Sequence, residues 1–153
     1  MKKLDNILII GIGNNTRQDD GLGWAFLDNL VEQGYNEDNL LYKYQLMVED
    51  AELIAEYNTV IFVDAYKKEL ENGFIFEEIE PAKQVSFSTH AVPPNQILNL
   101  CETIYNKTPK AYVLKIEGIT WEIEIKLSEQ ASNNLEKSLN YFNQIIIPQT
   151  CNN

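Results

Sequence analysis

Four side chains in this sequence have the types and spacing to work together. Asp19 and Asp20 stand in the run Arg17-Gln18-Asp19-Asp20-Gly21. Asp64 closes the apolar run Thr59–Val63, and His90 is the single histidine of the chain. Two carboxylates brought close raise each other's pKa or share a cation. With an imidazole beside them they form an N/O donor set suited to zinc, nickel or another borderline metal, whereas carboxylates alone favour harder ions. Each residue also has an ordinary reading. Asp-Asp-Gly ahead of a helix is more often a cap than a ligand set, and a lone histidine in a Ser-Thr-His loop is usually a surface residue. A strand-terminal aspartate is functional about as often as not. Their joint placement carries the argument, so the elements that hold them matter.

Ile7–Ile10 is a continuous apolar run, the pattern of a strand covered on both faces. A loop through Gly11, Gly13 and Asn14 follows. A helix then opens near Gly21 with Leu22, Phe26 and Leu30 on its inner face; Asp19 or Asp20 is expected to cap it, and Gly34 to stop it. Leu41–Leu46 predicts a more exposed strand, and Val48–Tyr57 a short helix with Leu53 and Ile54 facing in. Thr59–Val63 predicts a second buried strand ended by Asp64, and Phe74–Ile79 an edge strand. Pro94 suits the first turn of a helix to about Tyr105, with Ile97, Leu98, Cys101 and Ile104 buried. Ala111–Ile116 is a further strand ended by Gly118, and Trp121–Leu127 either a short strand or an extended loop. Ser128 caps a last helix whose stripe is Leu135, Leu139, Phe142 and Ile146.

The order β-α-β-α-β-β-α-β-α predicts an α/β fold, a three-layer α/β/α sandwich with a mostly parallel sheet of about five strands. Sites in such sheets gather beyond the carboxyl ends of the strands. Asp20 follows the first strand and Asp64 ends the third, so both are expected on one edge. Whether His90 reaches that edge does not follow from spacing.

The 153 residues predict a single domain, 1–153, large enough for a proper core. Lys and Arg number 12 against 23 Asp and Glu, a net charge of −11, which disfavours nucleic acid and anionic lipid as partners. No apolar run approaches the roughly 18 residues of a membrane helix. Met1–Gly11 is too short and too interrupted, by Asp5 and Asn6, for a signal peptide. Cys101 and Cys151 lack any paired spacing, which fits a reducing compartment such as the cytoplasm.

Gly11-Ile12-Gly13 invites a dinucleotide reading, but Thr16 stands where the third glycine belongs, and two aspartates at the helix mouth would repel pyrophosphate. The single histidine has no serine or cysteine at a strand-to-helix elbow to activate. Phosphoryl transfer on Asp64 would want a second aspartate two residues on, where Tyr66 stands.

Taken together, Gly11-x-Gly13-Asn14, Arg17-x-Asp19-Asp20-Gly21-x-Gly23, Val63-Asp64-Ala65 and Ser88-Thr89-His90 resemble the maturation endopeptidases of nickel–iron hydrogenases. The resemblance spans most of the chain, including Gln45 after the apolar residues of the second strand and the Leu127-Ser128 pair. It implies a three-layer, phosphorylase/hydrolase-like α/β/α domain that removes a C-terminal peptide from the hydrogenase large-subunit precursor once nickel is inserted. It implies Asp20, Asp64 and His90 as metal contacts and Asp20 or Asp64 as the catalytic carboxylate, with Gly11, Gly13, Asn14, Arg17, Asp19 and Gly21 as the supporting loop. The nickel would come with the substrate, the free protein holding none of its own and zinc or cadmium able to substitute, and the protein would act as a monomer. Departures fall at Gln18, where the family often has glycine, at Met47-Val48-Glu49-Asp50 after the second strand, and at Ala91-Val92-Pro93-Pro94. Two other classes stay open: a non-hydrolytic metal-binding accessory protein using the same ligands, and a small-molecule binder in which Asp19 and Asp20 only cap a helix.

Overall fold

A computed structural model describes residues 1–84 and 91–151. Its elements are β1 (Ile7–Ile12), α1 (Leu22–Glu32), β2 (Leu40–Lys43), α2 (Asp50–Ile54), β3 (Thr59–Tyr66), β4 (Phe74–Ile79), α3 (Pro94–Tyr105), β5 (Lys110–Glu117) and α4 (Glu129–Tyr141). A π-helical turn, Phe142–Ile146, leads into α5 (Ile147–Cys151). The five strands lie in the order β2-β1-β3-β5-β4. The first four are parallel, and β4 pairs antiparallel with β5 at the edge.

The continuous apolar runs of β1 and β3 arise because both faces of the sheet are covered. On one face α1, α4 and the π-turn bury Ile9, Phe26, Leu30, Ile61, Leu114, Leu135 and Phe142. On the other, α2 and α3 bury Leu8, Ile10, Phe62, Ile97, Leu98 and Cys101. This is the expected three-layer sandwich, and the element order matches the prediction. Ser128 caps α4 as read, its hydroxyl accepting from the Ala131 N–H at 3.1 Å. No helix among the described residues is long and apolar enough to cross a membrane.

Several expectations are corrected. β2 ends at Lys43, and Leu46 enters the core from the loop beyond it. α2 is shorter than Val48–Tyr57, starting where the Asp50 carboxylate accepts the Met47 N–H at 2.7 Å. Ile54 faces in, but Leu53 is exposed because so short a helix buries only one stripe. Ile104 has the right spacing yet is exposed, in the last turn of α3 before Asn106 takes a left-handed cap. Of the two readings of Trp121–Leu127 the loop is the one found, and it makes one isolated bridge, Glu124 to Arg17. Asp64 does not end β3, which runs on to Tyr66 because β5 extends equally far beside it.

Candidate functional site

The carboxyl edge of the sheet is built by the segments leaving β1, β3 and β5. Leaving β1, Gly13 adopts φ +141°, a region that favours glycine, and a Cβ there would lie 2.0 Å from the Asp20 carbonyl oxygen. At Gly23, in the first turn of α1, a Cβ would come within 2.6 Å of the Ile12 and Val63 carbonyl oxygens. These glycines let the mouth of α1 press onto the ends of β1 and β3. Their role is close backbone approach, and the dinucleotide reading set aside from the sequence gains nothing from it.

Between the glycines the loop is tied internally. The Asn14 N–H donates to the Asp20 carboxylate and to its carbonyl oxygen, each at 3.1 Å. Asn14 Oδ1 accepts from the Thr16 N–H and hydroxyl. Arg17 shapes the turn through its backbone, accepting from the Asp20 N–H, while its side chain is exposed. Neither aspartate caps α1: its cap residue is Gly21, with no side-chain bond, and a 3₁₀ turn over Gln18–Gly21 intervenes. The expected cap is therefore corrected.

The two neighbouring aspartates have different environments. Asp19 is fully buried and points to the β5 side, where its carboxylate accepts from the backbone N–H groups of Ile119 (2.7 Å), Thr120 (3.0 Å) and Ser128 (2.8 Å) and from the Ser128 hydroxyl (2.7 Å). Burial alone would raise its pKa, but these donors outweigh burial and hold it below the ordinary value. Asp19 is a clamp between the loop after β1 and the segment after β5. Asp20 stays partly exposed at the edge.

Asp64 lies level with Ile12 of β1 and Lys115 of β5. Its Oδ1 accepts the Ala65 N–H at 2.8 Å. Its pKa is raised to about 7, first by burial and then by the negative charge of Asp20, against the opposing Ala65 N–H and Lys115 ammonium. Asp20 is thus near enough to be felt, and the structure brings these two carboxylates together on one edge as the sequence predicted. His90 lies outside the described residues. Among the described residues no three metal-donor side chains cluster.

Asp64 also lines an open cleft of about 270 Å³ on the α3 side of the sheet, floored by Phe62 and Val113 and reached by Lys115. Sequence reasoning passed over Lys115. The visible clue was a lone cation inside the apolar run Ala111–Ile116, at a position that alternation places on the same face as Val113. It also passed over the Asp19 clamp, for which nothing local in the sequence speaks, because its partners are about a hundred residues away.

The arrangement offers two carboxylates on one edge, one of which, Asp64, titrates near neutrality and lines a cleft, suited to binding a cation and to moving a proton. Comparisons with known proteins bear on the chain as a whole. No protein-family model matches the chain. It is similar to a "putative hydrogenase maturation protease" of Methanocaldococcus jannaschii, with 29% identity over 155 residues, 91% of this chain and 94% of that protein. Its fold is similar to that of the [NiFe] hydrogenase maturation protease HycI from Thermococcus kodakarensis, with a TM-score of 0.66 at 24% identity, covering 97% of this chain and 93% of that one. It is likewise similar to the hydrogenase maturating endopeptidase HybD from E. coli, with a TM-score of 0.64 at 21% identity, covering 92% and 88%.

Proposed function

We propose that this chain is an endopeptidase of hydrogenase maturation, which recognises the nickel held in a nickel–iron hydrogenase large-subunit precursor and then removes that precursor's C-terminal peptide. The observation that carries this reading is the pairing of Asp20 with Asp64 on one edge of the sheet, where Asp64 lines an open cleft and titrates near neutrality. The similarity to hydrogenase maturation proteases along nearly the whole chain supports it.

Asp20 and Asp64, with His90 as the third donor, contact the nickel, which belongs to the substrate; the free protein carries no metal of its own, and zinc or cadmium can stand in. A metal already seated in the precursor then acts as the token that only a loaded substrate presents. Asp64 serves as the base, its carboxylate accepting a proton from the attacking water and returning it. As water oxygen bonds to the scissile carbonyl carbon, its proton passes to Asp64. The C–N bond then breaks, and the same proton leaves on the departing amine. Asp19 touches neither nickel nor peptide; it holds the loop that presents Asp20.

The test is mass spectrometry of a nickel-loaded large-subunit precursor after incubation with the wild type, Asp20→Asn and Asp64→Asn. Loss of a C-terminal peptide with the wild type alone supports the protease. Binding of the precursor without any cleavage supports the non-hydrolytic accessory role, and full processing by Asp64→Asn would remove Asp64 from the chemistry.

A further inference from the structure

Lys115 is a cation set into an acidic edge. It stands opposite Asp64 in the β3–β5 register, and opposite Ile75 on the other side. Cross-strand partners share a face, so Lys115 and Asp64 project from the same side of the sheet. Yet they form no ion pair. Among the described residues the ion pairs are Lys43–Asp50 and Lys110–Glu78, and the Lys115 ammonium lies over the Tyr66 ring, 4.8 Å from its centroid. A cation held on an aromatic face, near a carboxylate that it does not contact directly, is placed to meet something that enters the cleft.

The cleft itself sorts the possible occupants. Its floor, Phe62, Val113 and Ile79, is apolar, which opposes burial of a charged side chain. Asp64 and Glu77 also line it, so a carboxylate there would face two further carboxyl groups against one lysine. A neutral carbonyl oxygen meets no such opposition and is a good acceptor for an ammonium. At about 270 Å³ the space suits a single side chain and not a folded element.

We propose that this cleft is a specificity subsite that seats one apolar side chain of the cleaved polypeptide against Phe62, Ile79 and Val113, while Lys115 binds a backbone carbonyl oxygen of the same segment. This rests on the endopeptidase reading. A polypeptide whose scissile carbonyl reaches Asp64 must pass over the cleft, because Asp64 is part of its wall. Lys115 is then a substrate-binding residue, and Tyr66 holds its ammonium in place until the peptide arrives.

The test uses wild type, Lys115→Met, Lys115→Arg and Ile79→Ala on the nickel-loaded precursor, with the apolar residues flanking its scissile bond changed singly to glycine. Lys115→Met is expected to raise KM roughly tenfold with kcat within about twofold, the size of one charge-assisted hydrogen bond, and Lys115→Arg to recover most of the loss. One glycine change should cost the wild type activity and cost Ile79→Ala markedly less, because the enlarged cleft has already lost its contact. An unchanged KM in Lys115→Met, or a glycine penalty identical in Ile79→Ala and wild type, overturns the subsite while leaving the protease reading intact. If the wild type fails to cleave, the protease reading falls separately, and the subsite is then judged by methyl NMR with a peptide spanning the scissile bond. Shifts centred on Ile79 and Val113 support it; their absence overturns it.

Discussion

Asp19 and Ser128 are joined twice, by the Ser128 N–H to Oδ1 at 2.8 Å and the Ser128 hydroxyl to Oδ2 at 2.7 Å, while the same hydroxyl accepts the Ala131 N–H as the cap of α4. One carboxylate thereby fixes both the loop that carries Asp20 and the start of a helix at the far end of the chain.

Removing that carboxylate leaves buried donors unpaired. Asp19→Ala is expected to cost about 3 kcal/mol, and Asp19→Asn nearly as much, because its amide NH₂ would face backbone N–H groups that also donate. Ser128→Ala loses the cap and one bond and should cost about 1–2 kcal/mol. Urea unfolding measures all three. Because the folded-state pKa of Asp19 lies below its ordinary 3.8, its contribution is present above that value and is lost as the pH falls through the lower folded value. The wild-type and Asp19→Asn stabilities should therefore converge only in strong acid.

Asp64 has the opposite sign. Its pKa is raised from 3.8 to about 7, so the folded state favours the protonated form. Stability is full below about 4 and falls as the pH rises to 7, by roughly 4 kcal/mol at most. Asp64→Asn carries no such penalty and should be more stable than the wild type at pH 8, the advantage vanishing near pH 4. Denaturation midpoints across that range check it; an advantage independent of pH would contradict the raised value.

Most of the architecture was legible because strand and helix periodicities are local. Ile7–Ile10 and Thr59–Val63 announced strands covered on both faces, and the Leu135–Leu139–Phe142–Ile146 stripe announced the face its helix buries. The exposure of Leu53 and Ile104 was not legible, since it depends on how each short helix or helix end meets the rest of the core. Asp20 and Asp64 could be placed on one edge because parallel strands put their carboxyl ends together. The fate of Asp19 could not, since Ile119, Thr120 and Ser128 come from a loop whose path no local pattern encodes. For the same reason the two adjacent aspartates looked alike in the sequence, though one is a clamp and the other faces the edge.

Gly23→Ala tests how tightly that edge is built. The new Cβ would sit 2.6 Å from the carbonyl oxygens of Ile12 and Val63, both backbone atoms of the central strands. Neither can yield without disturbing β1 or β3, so a loss of about 2–3 kcal/mol is expected, against a gain in helix propensity below about 1 kcal/mol. Gly34→Ala is a control in open space, strained only by its φ of +91°. Thermal unfolding should show the larger loss at Gly23.

Metal affinity follows from the proton that Asp64 holds. A cation binding to Asp64 must displace that proton at any pH below about 7. Cadmium binding is therefore expected to strengthen as the pH rises toward about 7 and to level off once the pH is well above it. Asp20→Asn separates the contributions. Removing its negative charge takes away one of the causes that raise Asp64, so the Asp64 carboxyl should titrate at a lower pH in that variant, read by carbon NMR of the side chain. The proton then competes less, but one ligand has gone, so the pH dependence of binding should flatten while the limiting affinity falls. An Asp64 titration unmoved by Asp20→Asn would mean that burial alone raises it, and that the two carboxylates do not share a cation.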